Sequence, residues 1–320
     1  MKNISKAILL AALLPAAPLH GAKYAGEFLS IGYGSRALGM GGAFVSMAEG
    51  GFACYWNPAG TASGEHRLEF THANNFDNLV SYDALGYARP GKGQGLGLAV
   101  LRLSVKDIPF TSQALIDLNG NGVMDPGERL DYDKITLASD AETAVFLNYS
   151  RMLAPWVAWG VNAKAVNKSV GDNSAWGLGL DAGLLARLPH RIRLGLNLQD
   201  ATTTYLAWDT GAREVITPTA KLGVSTSPWF APSLTLALDA DVRFENRGPA
   251  ANYHLGALSA DVRAGAEYWI RRRLALRLGS DQGSLAAGAG LRLGRFCFDY
   301  AYLGHAELRG STRLSASYGF

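Results

Sequence analysis

The sequence predicts an all-β protein, a transmembrane antiparallel β-barrel of about 14 strands with an N-terminal plug inside its lumen. Three observations support this prediction: a glycine-rich stretch that fits neither a helix nor a strand, a long series of short segments with alternating apolar residues, and an aromatic C-terminal residue. The composition agrees with it. Charged residues make up only 18% of the 320 residues and 38 are glycine, as expected when an apolar outer face and a polar inner face are averaged.

Residues 1–22 have the pattern of a secretory signal peptide. Lys2 and Lys6 precede an apolar stretch from Ala7 to Leu19, and small residues follow up to Ala22. A retained membrane anchor is the alternative, but this stretch is shorter than the ~20 residues that span a bilayer as a helix. No other uncharged apolar run of that length occurs, so insertion into a membrane would depend on strands.

Residues 23–64 are predicted to form the plug. Between Gly34 and Gly60 the chain carries seven glycines and shows no sustained period of 2. Glycine costs backbone entropy in helices and strands, and a long irregular loop is improbable inside a compact soluble domain. Such a segment must be enclosed by another part of the chain, and residues 65–320 are predicted to enclose it as an outer-membrane β-barrel.

The barrel prediction rests on alternation along the strands. From Phe296 to Tyr302 every second residue is aromatic, and the residues between them are small or polar. From Arg313 to Phe320 apolar residues alternate with an arginine and serines, and a terminal phenylalanine after such a segment resembles the assembly signal read by the barrel-insertion machinery. Only the segment from Leu96 to Leu103 is apolar on both faces, so its inner residues are not assigned. A soluble β-sandwich, which would also alternate, is the alternative architecture.

The connections between the strands alternate in length. Short ones are predicted near 89–93, 153–155, 189, 271 and 294, and long ones at 106–140, 200–214 and 245–259. Bacterial barrels have short periplasmic turns and longer outer loops. Both chain ends are therefore predicted to lie at the periplasmic side of a barrel that sits in the cell outer membrane and contacts its lipid.

Two motifs resemble a known family. The text around Arg36 (GSRALGMGGAF), followed by YWNPAG at 55–60, resembles the N-terminal hatch of FadL/TodX-type outer-membrane transporters. The text YAGEFLSIGYGSRALGMGG is more similar to the PorV/PorQ branch of that superfamily, which includes outer-membrane components of type IX secretion. The family often has an acidic pair before NPAG; only Glu49 remains here, which argues against an ion pair of the plug at that point. The resemblance implies plug and gating roles for Arg36, Gly39, Gly41, Gly42, Trp56, Asn57 and Pro58.

The predicted long connection at 106–140 contains a candidate calcium loop. Its text DLNGNGVMDPGE fits D-x-[DN]-x-[DN]-G-x5-E without a mismatch. Calcium prefers oxygen ligands on a tightly turned loop, and three carboxylates predict weak binding of Ca2+ that orders an outer loop. The alternative is an Asn/Gly-rich turn that binds nothing. The predicted ligands are the side chains of Asp117, Asn119, Asn121, Asp125 and Glu128 and the carbonyl of Val123.

The inward faces of the predicted strands carry many charged residues. A wet lumen tolerates them, and arginines there would pair with carboxylates and hold the plug. In a sharper interpretation, a guanidinium captures the carboxylate of a ligand. Cys54 in the plug and Cys297 on an inward face are candidates for a disulfide in an oxidising periplasm. The arginines predicted to contact the plug or a ligand are Arg263, Arg273, Arg277 and Arg292.

Two functions from different classes fit the sequence. In the first, which the PorV/PorQ resemblance favours, the barrel binds secreted cargo or secretion-system proteins through its outer loops. In the alternative, a FadL-like channel takes up long-chain fatty acids or other hydrophobic small molecules, and the glycines within 39–42 and at 50–51 form the hinge of the plug. The chain is predicted not to be an enzyme, because its histidines lack metal-ligand spacing and no nucleophile elbow occurs. No phosphate loop or nucleic-acid module is found, so no nucleic-acid partner is expected.

Overall fold

The computed structural model describes residues 26–75, 79–111, 113–304 and 310–320. The predicted signal peptide, residues 1–22, lies outside these ranges. Two short helices precede the sheet, α1 (Ser35–Gly39) and α2 (Ala53–Trp56). Within the described ranges, no helix is both long and apolar enough to cross a membrane.

Strands dominate the rest of the described chain and are named in chain order. They are β1 (Arg67–Asn75), β2 (Val80–Pro90), β3 (Gln94–Phe110), β4 (Leu115–Ile116), β5 (Arg129–Leu130), β6 (Thr136–Ala154), β7 (Val157–Val170), β8 (Asn173–Arg187), β9 (Ile192–Gln199), β10 (Thr204–Trp208), β11 (Arg213–Ile216), β12 (Thr219–Thr226), β13 (Leu234–Arg243), β14 (Tyr253–Leu255), β15 (Leu258–Ile270), β16 (Leu274–Asp281), β17 (Ser284–Leu293), β18 (Phe296–Leu303) and β19 (Ser311–Gly319). Short 3-10 helices lie at Glu27–Leu29, Pro58–Ala62, Tyr132–Lys134, Pro189–Arg191 and Gly248–Ala250.

The strands close into an antiparallel barrel with 14 strand positions. β1 pairs with both β2 and β19, with Leu68 opposite Tyr318, and this pairing closes the ring. β9 and β10 share one position beside β8, and β12 and β11 share the next, so an interruption divides each of these positions. β14 pairs only with the start of β15, and β4 pairs with β5 in a separate hairpin. The predicted all-β barrel of about 14 antiparallel strands is confirmed.

The two rims of the barrel differ in their connections. The amide of Phe320 donates to the carbonyl of His66 at 3.0 Å, so the first strand begins and the last strand ends at one rim, here called the turn rim. The connections at the opposite loop rim include the long segments 111–135 and 244–257, as predicted. The predicted long loop at 200–214 was wrong in part. Most of it forms the β10–β11 hairpin, whose tip is only 209–212.

Outward and inward side chains differ in chemistry and exposure. Outward Leu178 and Leu314 are 76% and 63% exposed, whereas inward Asn162 and Asp239 are 1% and 2% exposed. The outer wall is therefore an apolar band, and polar side chains line much of the inner wall. This is the pattern that a barrel in a lipid bilayer requires.

The pairing of β3 also resolves the segment that alternation left unassigned. Leu96 and Leu98 face outward and are exposed, while Leu101 and Leu103 face inward and are buried. Both faces of this strand are apolar because its inner face packs in an apolar cluster inside the barrel.

Candidate functional site

Residues 26–64, here called the N-terminal segment, pack against the inward faces of the strands. Tyr33, Met40 and Asn57 of this segment are 1%, 0% and 0% exposed. The segment contacts β2, β6, β13, β15 and β19, which lie at points all around the ring. The contacts establish where the segment lies; its action as a plug stays a prediction.

Five charged side chains, here called the ionic network, link the segment to the wall on the turn side. Arg36 forms a bidentate ion pair with Glu267 (2.9 and 2.8 Å) and a second ion pair with Glu49 (2.6 Å). Arg277 then bonds to Glu267 at 2.8 Å and to Asp299 at 2.7 Å. Bidentate pairs of this kind are strong and directional. The argument against an ion pair at Glu49 was wrong, because one carboxylate in reach of Arg36 is sufficient.

The ionic network leaves little free space. The cavity beside Arg36, Glu49 and Asp299 has a volume of about 30 Å³. That volume is enough for a water molecule but not for an organic ligand. Breaking a buried ion pair is strongly destabilising, because it leaves an uncompensated charge. The network is therefore suited to holding the N-terminal segment against the wall.

The hinge glycines predicted within 39–42 lie at a tight turn at the end of α1. Gly41 and Gly42 have φ angles of 65° and 77°, a left-handed conformation that is costly for residues with a Cβ. A Cβ at Gly41 would also collide with the backbone of Ser280. Gly39 packs against Gly288 of β17 with similarly little room. These glycines are thus required for close approach to the wall, and movement at the turn stays a prediction.

Two buried polar side chains bind the backbone of this region. Asp239 of β13 accepts hydrogen bonds from the amides of Phe44 and Val45, both at 2.7 Å. Asn57 donates to the carbonyl of Leu184 in β8 at 3.0 Å. The Asp239 bonds satisfy two amides of the irregular segment that would otherwise be buried without partners, and the Asn57 bond joins the segment to a strand of the wall.

The other two residues that the motif singled out flank Asn57. The Nε1 atom of Trp56 donates to the carbonyl of Tyr33 at 2.9 Å and so ties the two ends of the segment together. Pro58 begins a 3-10 helix, and its carbonyl accepts from the side-chain amide of Asn148 at 3.0 Å. Each residue to which the resemblance assigns a plug role thus contacts either the barrel wall or another part of the N-terminal segment.

On the loop side, one sector of the inner wall is apolar, although charged pairs such as Arg263 with Asp281 lie elsewhere on that side. Leu101, Phe146, Val166 and Leu206 come from four different strands, and none is more than 1% exposed. They pack with two residues of the N-terminal segment and two further wall residues in one group, here called the loop-side cluster: Phe28, Leu29, Leu101, Leu103, Phe146, Val166, Leu206 and Ile216.

The sequence analysis missed this cluster. Its signal is an apolar residue at a position whose neighbours on the same face are polar. Phe146 is an example, because Glu142 and Asn148 lie on the same face of β6 and are buried as well. Such apolar residues on a polar inner face mark places where the wall packs against other apolar groups, here those of the N-terminal segment.

Two of the four predicted lumenal arginines lie deep inside the barrel. Arg263 and Arg277 are 5% and 4% exposed. Arg263 pairs with Asp241 and, at 2.7 Å, with Asp281, while Arg277 belongs to the ionic network. Both guanidinium groups therefore already have carboxylate partners.

The other two arginines lie near the turn rim. Arg292 of β17 is partly buried, with its guanidinium 4.9 Å from the centre of the Trp269 ring. Arg273 is exposed in the turn between β15 and β16. Its assignment to the lumen was wrong, because the strand alternation was extended into a residue that lies in the turn.

The two cysteines are free. Cys54 packs against Gly97 of β3, whereas Cys297 lies on β18 with its sulfur 3.6 Å from a carboxylate oxygen of Asp299. Three strands of the ring, β19, β1 and β2, separate β18 from β3. The predicted disulfide is therefore absent.

The candidate calcium loop is a compact turn between β4 and β5. Asp117 accepts hydrogen bonds from the amide of Gly122 at 2.7 Å and from that of Gly120 at 2.6 Å. These donors, the Gly122 amide foremost, lower the pKa of the Asp117 carboxyl. Asp125 accepts from the side chains of Asn119 and Asn121, and Glu128 accepts from two backbone amides.

This loop gathers oxygen atoms, but its carboxylates are few. In the described part of the chain, no three His, Cys, Asp or Glu side chains form a group that could hold a metal ion by themselves. A calcium ion here would depend on the amide oxygens of Asn119 and Asn121 and on the carbonyl of Val123. Calcium binding at this loop stays a prediction.

The fold is similar to that of several solved channels. No family model matches the chain, and no curated protein matches it. The Pseudomonas putida toluene transporter TodX is 14% identical, with a TM-score of 0.60, and the match covers 90% of this chain and 97% of TodX. The monoaromatic hydrocarbon channel CymD is 13% identical (TM-score 0.59; 91% and 98% covered). A Pseudomonas aeruginosa FadL homologue is also 13% identical (TM-score 0.56; 89% and 98% covered). At these identities the similarity shows a shared fold.

Proposed function

We propose that this protein is an outer-membrane channel for hydrophobic small molecules. The observation that supports it most directly is the loop-side cluster, a group of apolar side chains inside a barrel whose inner wall is otherwise largely polar. Movement of the N-terminal segment would uncover these side chains, and an apolar solute gains free energy by leaving water for such a surface. The fold shared with the toluene transporter TodX and the monoaromatic hydrocarbon channel CymD favours the same proposal.

In this proposal, the N-terminal segment is the plug and closes the turn side of the barrel. A solute enters at the loop rim and binds at the loop-side cluster once movement of the segment has uncovered it. The ionic network around Arg36 holds the closed state, and the turn at Gly41 and Gly42 is where the backbone would change direction. In this proposal the outward apolar band lies in the lipid of the outer membrane.

The secretion function of the PorV/PorQ type rests on the N-terminal text alone. Its outer loops would have to bind a protein partner. The channel is therefore the function that the structure and the fold similarity favour.

Uptake measurements test this proposal. The gene would be expressed in a Gram-negative host that lacks its own channels of this kind, and the entry of radiolabelled toluene and dodecanoate would be followed at low concentration. We expect uptake of at least one of these probes to exceed that of the empty vector several-fold. Uptake equal to the vector control, with a secreted protein bound stoichiometrically to the purified barrel, would instead establish the secretion platform.

A further inference from the structure

The turn rim carries far more positive than negative charge. Among the described residues, exposed arginines and lysines lie in or beside four of its connections, at 89–92, 187–191, 271–273 and 295. The only exposed acidic residue at this rim, within the same described ranges, is Glu65, and it pairs with Arg67. At the loop rim, by contrast, carboxylates outnumber basic side chains in the long connection 111–135. Charge is therefore separated along the barrel axis, with the positive end at the turn rim.

Two of these turns hold basic side chains at positions where asparagine or glycine is usual. The central residues of the β15–β16 turn, Arg271 and Arg272, have φ angles of 50° and 57°. In the β8–β9 turn, His190 and Arg191 have φ angles of 60° and 61°. Tight hairpin turns with two left-handed residues favour Asn-Gly, because a residue with a Cβ adopts this conformation at a cost. Arginine at these positions does not serve the turn itself, so its charge requires another explanation.

The turn between these two is aromatic. β9, β12, β13 and β15 are consecutive neighbours in the ring, so the β12–β13 connection lies between the β8–β9 and β15–β16 turns. Its Trp229 and Phe230 are 87% and 72% exposed and contact each other edge to face. Aromatic side chains of this kind are enriched where a membrane meets water. The three turns together, residues 187–191, 227–233 and 271–273, are here called the rim patch.

An apolar groove in the outer wall leads up to the rim patch. It begins beside Val157 and Ala186 near the turn rim, extends to Leu222 and Ala240, and has a volume of about 520 Å³. Pockets that hold small ligands usually have volumes of about 300–1,000 Å³. The groove therefore has room for an acyl chain that enters from the rim.

A basic side chain stands at the end of this groove. Arg187 follows Ala186 directly and is exposed. Its Nη2 atom donates to the hydroxyl of Ser63 at 2.8 Å, which holds the side chain at the rim and leaves Nε and Nη1 for another acceptor. Grooves of about 480 and 450 Å³ occur elsewhere on the outer wall, and an apolar groove alone does not select a headgroup. Selection at the rim patch would come from its charge.

We propose that the rim patch and this groove bind an anionic phospholipid. The phosphate contacts Arg187 and Arg191, one acyl chain lies in the groove, and Trp229 lies at the level of the headgroups. A guanidinium binds phosphate oxygens with two parallel hydrogen bonds, and clustered basic residues at a membrane surface attract anionic lipids. Because both chain ends are predicted to lie at the periplasmic side, the lipid comes from the periplasmic leaflet. This inference goes beyond the proposed channel function and does not depend on it.

The experiment compares two phospholipids with the same acyl chains, 1-palmitoyl-2-oleoyl phosphatidylglycerol and the corresponding phosphatidylethanolamine. The barrel, purified in an uncharged detergent, would be mixed with equal amounts of both, and native mass spectrometry would count the lipids retained. We expect about fivefold more phosphatidylglycerol than phosphatidylethanolamine on the native protein, because only the former carries a net charge. This preference should fall as ammonium acetate rises from about 0.05 to 0.5 M, since salt screens exposed charges.

Paired variants test the headgroup contact. Arg187→Gln combined with Arg191→Gln should reduce the retention of phosphatidylglycerol to that of phosphatidylethanolamine. The matched control is Arg89→Gln combined with Lys92→Gln, which removes the same charge from the same rim on the far side of β6 and β7. This control should keep the preference. Heat-modifiable migration verifies folding, and if the first pair does not fold, the salt dependence of the native protein decides the test.

A second pair of variants tests the groove. Ala240→Phe places a ring in the groove and should weaken the retention of both lipids. Ala207→Phe adds the same bulk at an exposed position of β10 outside the groove and should not. If the two variants retain lipid equally, the acyl chain does not lie in this groove.

The remaining outcomes decide the headgroup contact. Equal retention of the two phospholipids by the native protein, or an equal loss of preference in both arginine and lysine pairs, overturns the site. An acidic protein retained in place of the lipid would also overturn it. Because lipid retention is measured without transport, neither result bears on the channel function, which the uptake measurements test separately.

Discussion

Two regions of the barrel interior are built from different chemistry. On the turn side, the ionic network joins Arg36 to Glu267, Arg277 and Asp299 and leaves a cavity of only about 30 Å³. In the loop-side cluster, apolar side chains from several strands pack with the N-terminal segment. Directional ion pairs hold a chain in place, whereas apolar contacts do not demand one geometry. In the proposed channel, closure and solute contact would therefore belong to separate regions.

The largest expected effect comes from locking the N-terminal segment to the barrel wall. In a background with Cys54 and Cys297 replaced by alanine, Ser35→Cys and Ser315→Cys would form a disulfide between the segment and β19, since the two hydroxyl oxygens are 2.8 Å apart. We expect oxidation to reduce toluene uptake to the vector level and reduction to restore it. Ser315→Cys alone should be insensitive to oxidation. Uptake that continues in the oxidised double variant would show that the segment does not have to move.

A large loss of stability is expected when the ionic network is broken. Arg277→Gln leaves Glu267 and Asp299 buried with one fewer partner, and removing one member of a buried pair costs about 3–5 kcal/mol. The free energy of unfolding in urea, measured from liposomes, checks this. Arg273→Gln, in an exposed turn, removes the same charge and should change stability by about 0.5 kcal/mol or less. If the two variants unfold alike, the network does not hold the segment.

A moderate effect on solute binding is expected from a change in the loop-side cluster. Val166→Thr places a hydroxyl of nearly equal size in the loop-side cluster, where burial without a partner costs about 1–3 kcal/mol. We expect toluene uptake per folded barrel to fall about fivefold. The control is Val161→Thr on the same strand, because Val161 faces outward and is 39% exposed. An equal fall in both variants would mean that the cluster does not contact the solute.

The smallest effect concerns the outer loop between β4 and β5. Calcium at several millimolar should protect this loop from limited proteolysis, and Asp117→Asn should remove the protection while Asp133→Asn, nearby in the same connection, keeps it. Because hydrogen bonds lower the pKa of Asp117, its charged form should persist as the pH falls until that lowered pKa is reached. If calorimetry gives no heat signal at millimolar calcium, the loop does not bind calcium.

Much of the fold follows from local alternation. The aromatic residues from Phe296 to Tyr302 could be assigned to the outer face from the sequence, because successive side chains of a strand point alternately to lipid and to the lumen. The same rule failed for Leu96 to Leu103, since it cannot distinguish a lipid-facing leucine from one packed inside. It also placed Arg273 in the lumen because alternation does not show where a strand ends.

The candidate site depended on contacts between residues far apart in the chain. Arg36 and Glu267 are separated by 231 positions, and no pattern within either neighbourhood pairs them. The motif around Arg36 marked which residues of the segment matter but not their partners on the wall.

The sequence by itself determined that this chain forms a barrel, how many strands it has to within small error, which faces point outward, and that a glycine-rich segment needs a container. These are local properties, because the hydrophobic effect acts on each side chain according to its strand position. The tertiary structure decided which charges are paired, that the cysteines are apart, and that apolar residues meet on the loop side. Those outcomes depend on ring closure and strand register, which bring distant residues within a few ångströms and are not encoded in any single segment.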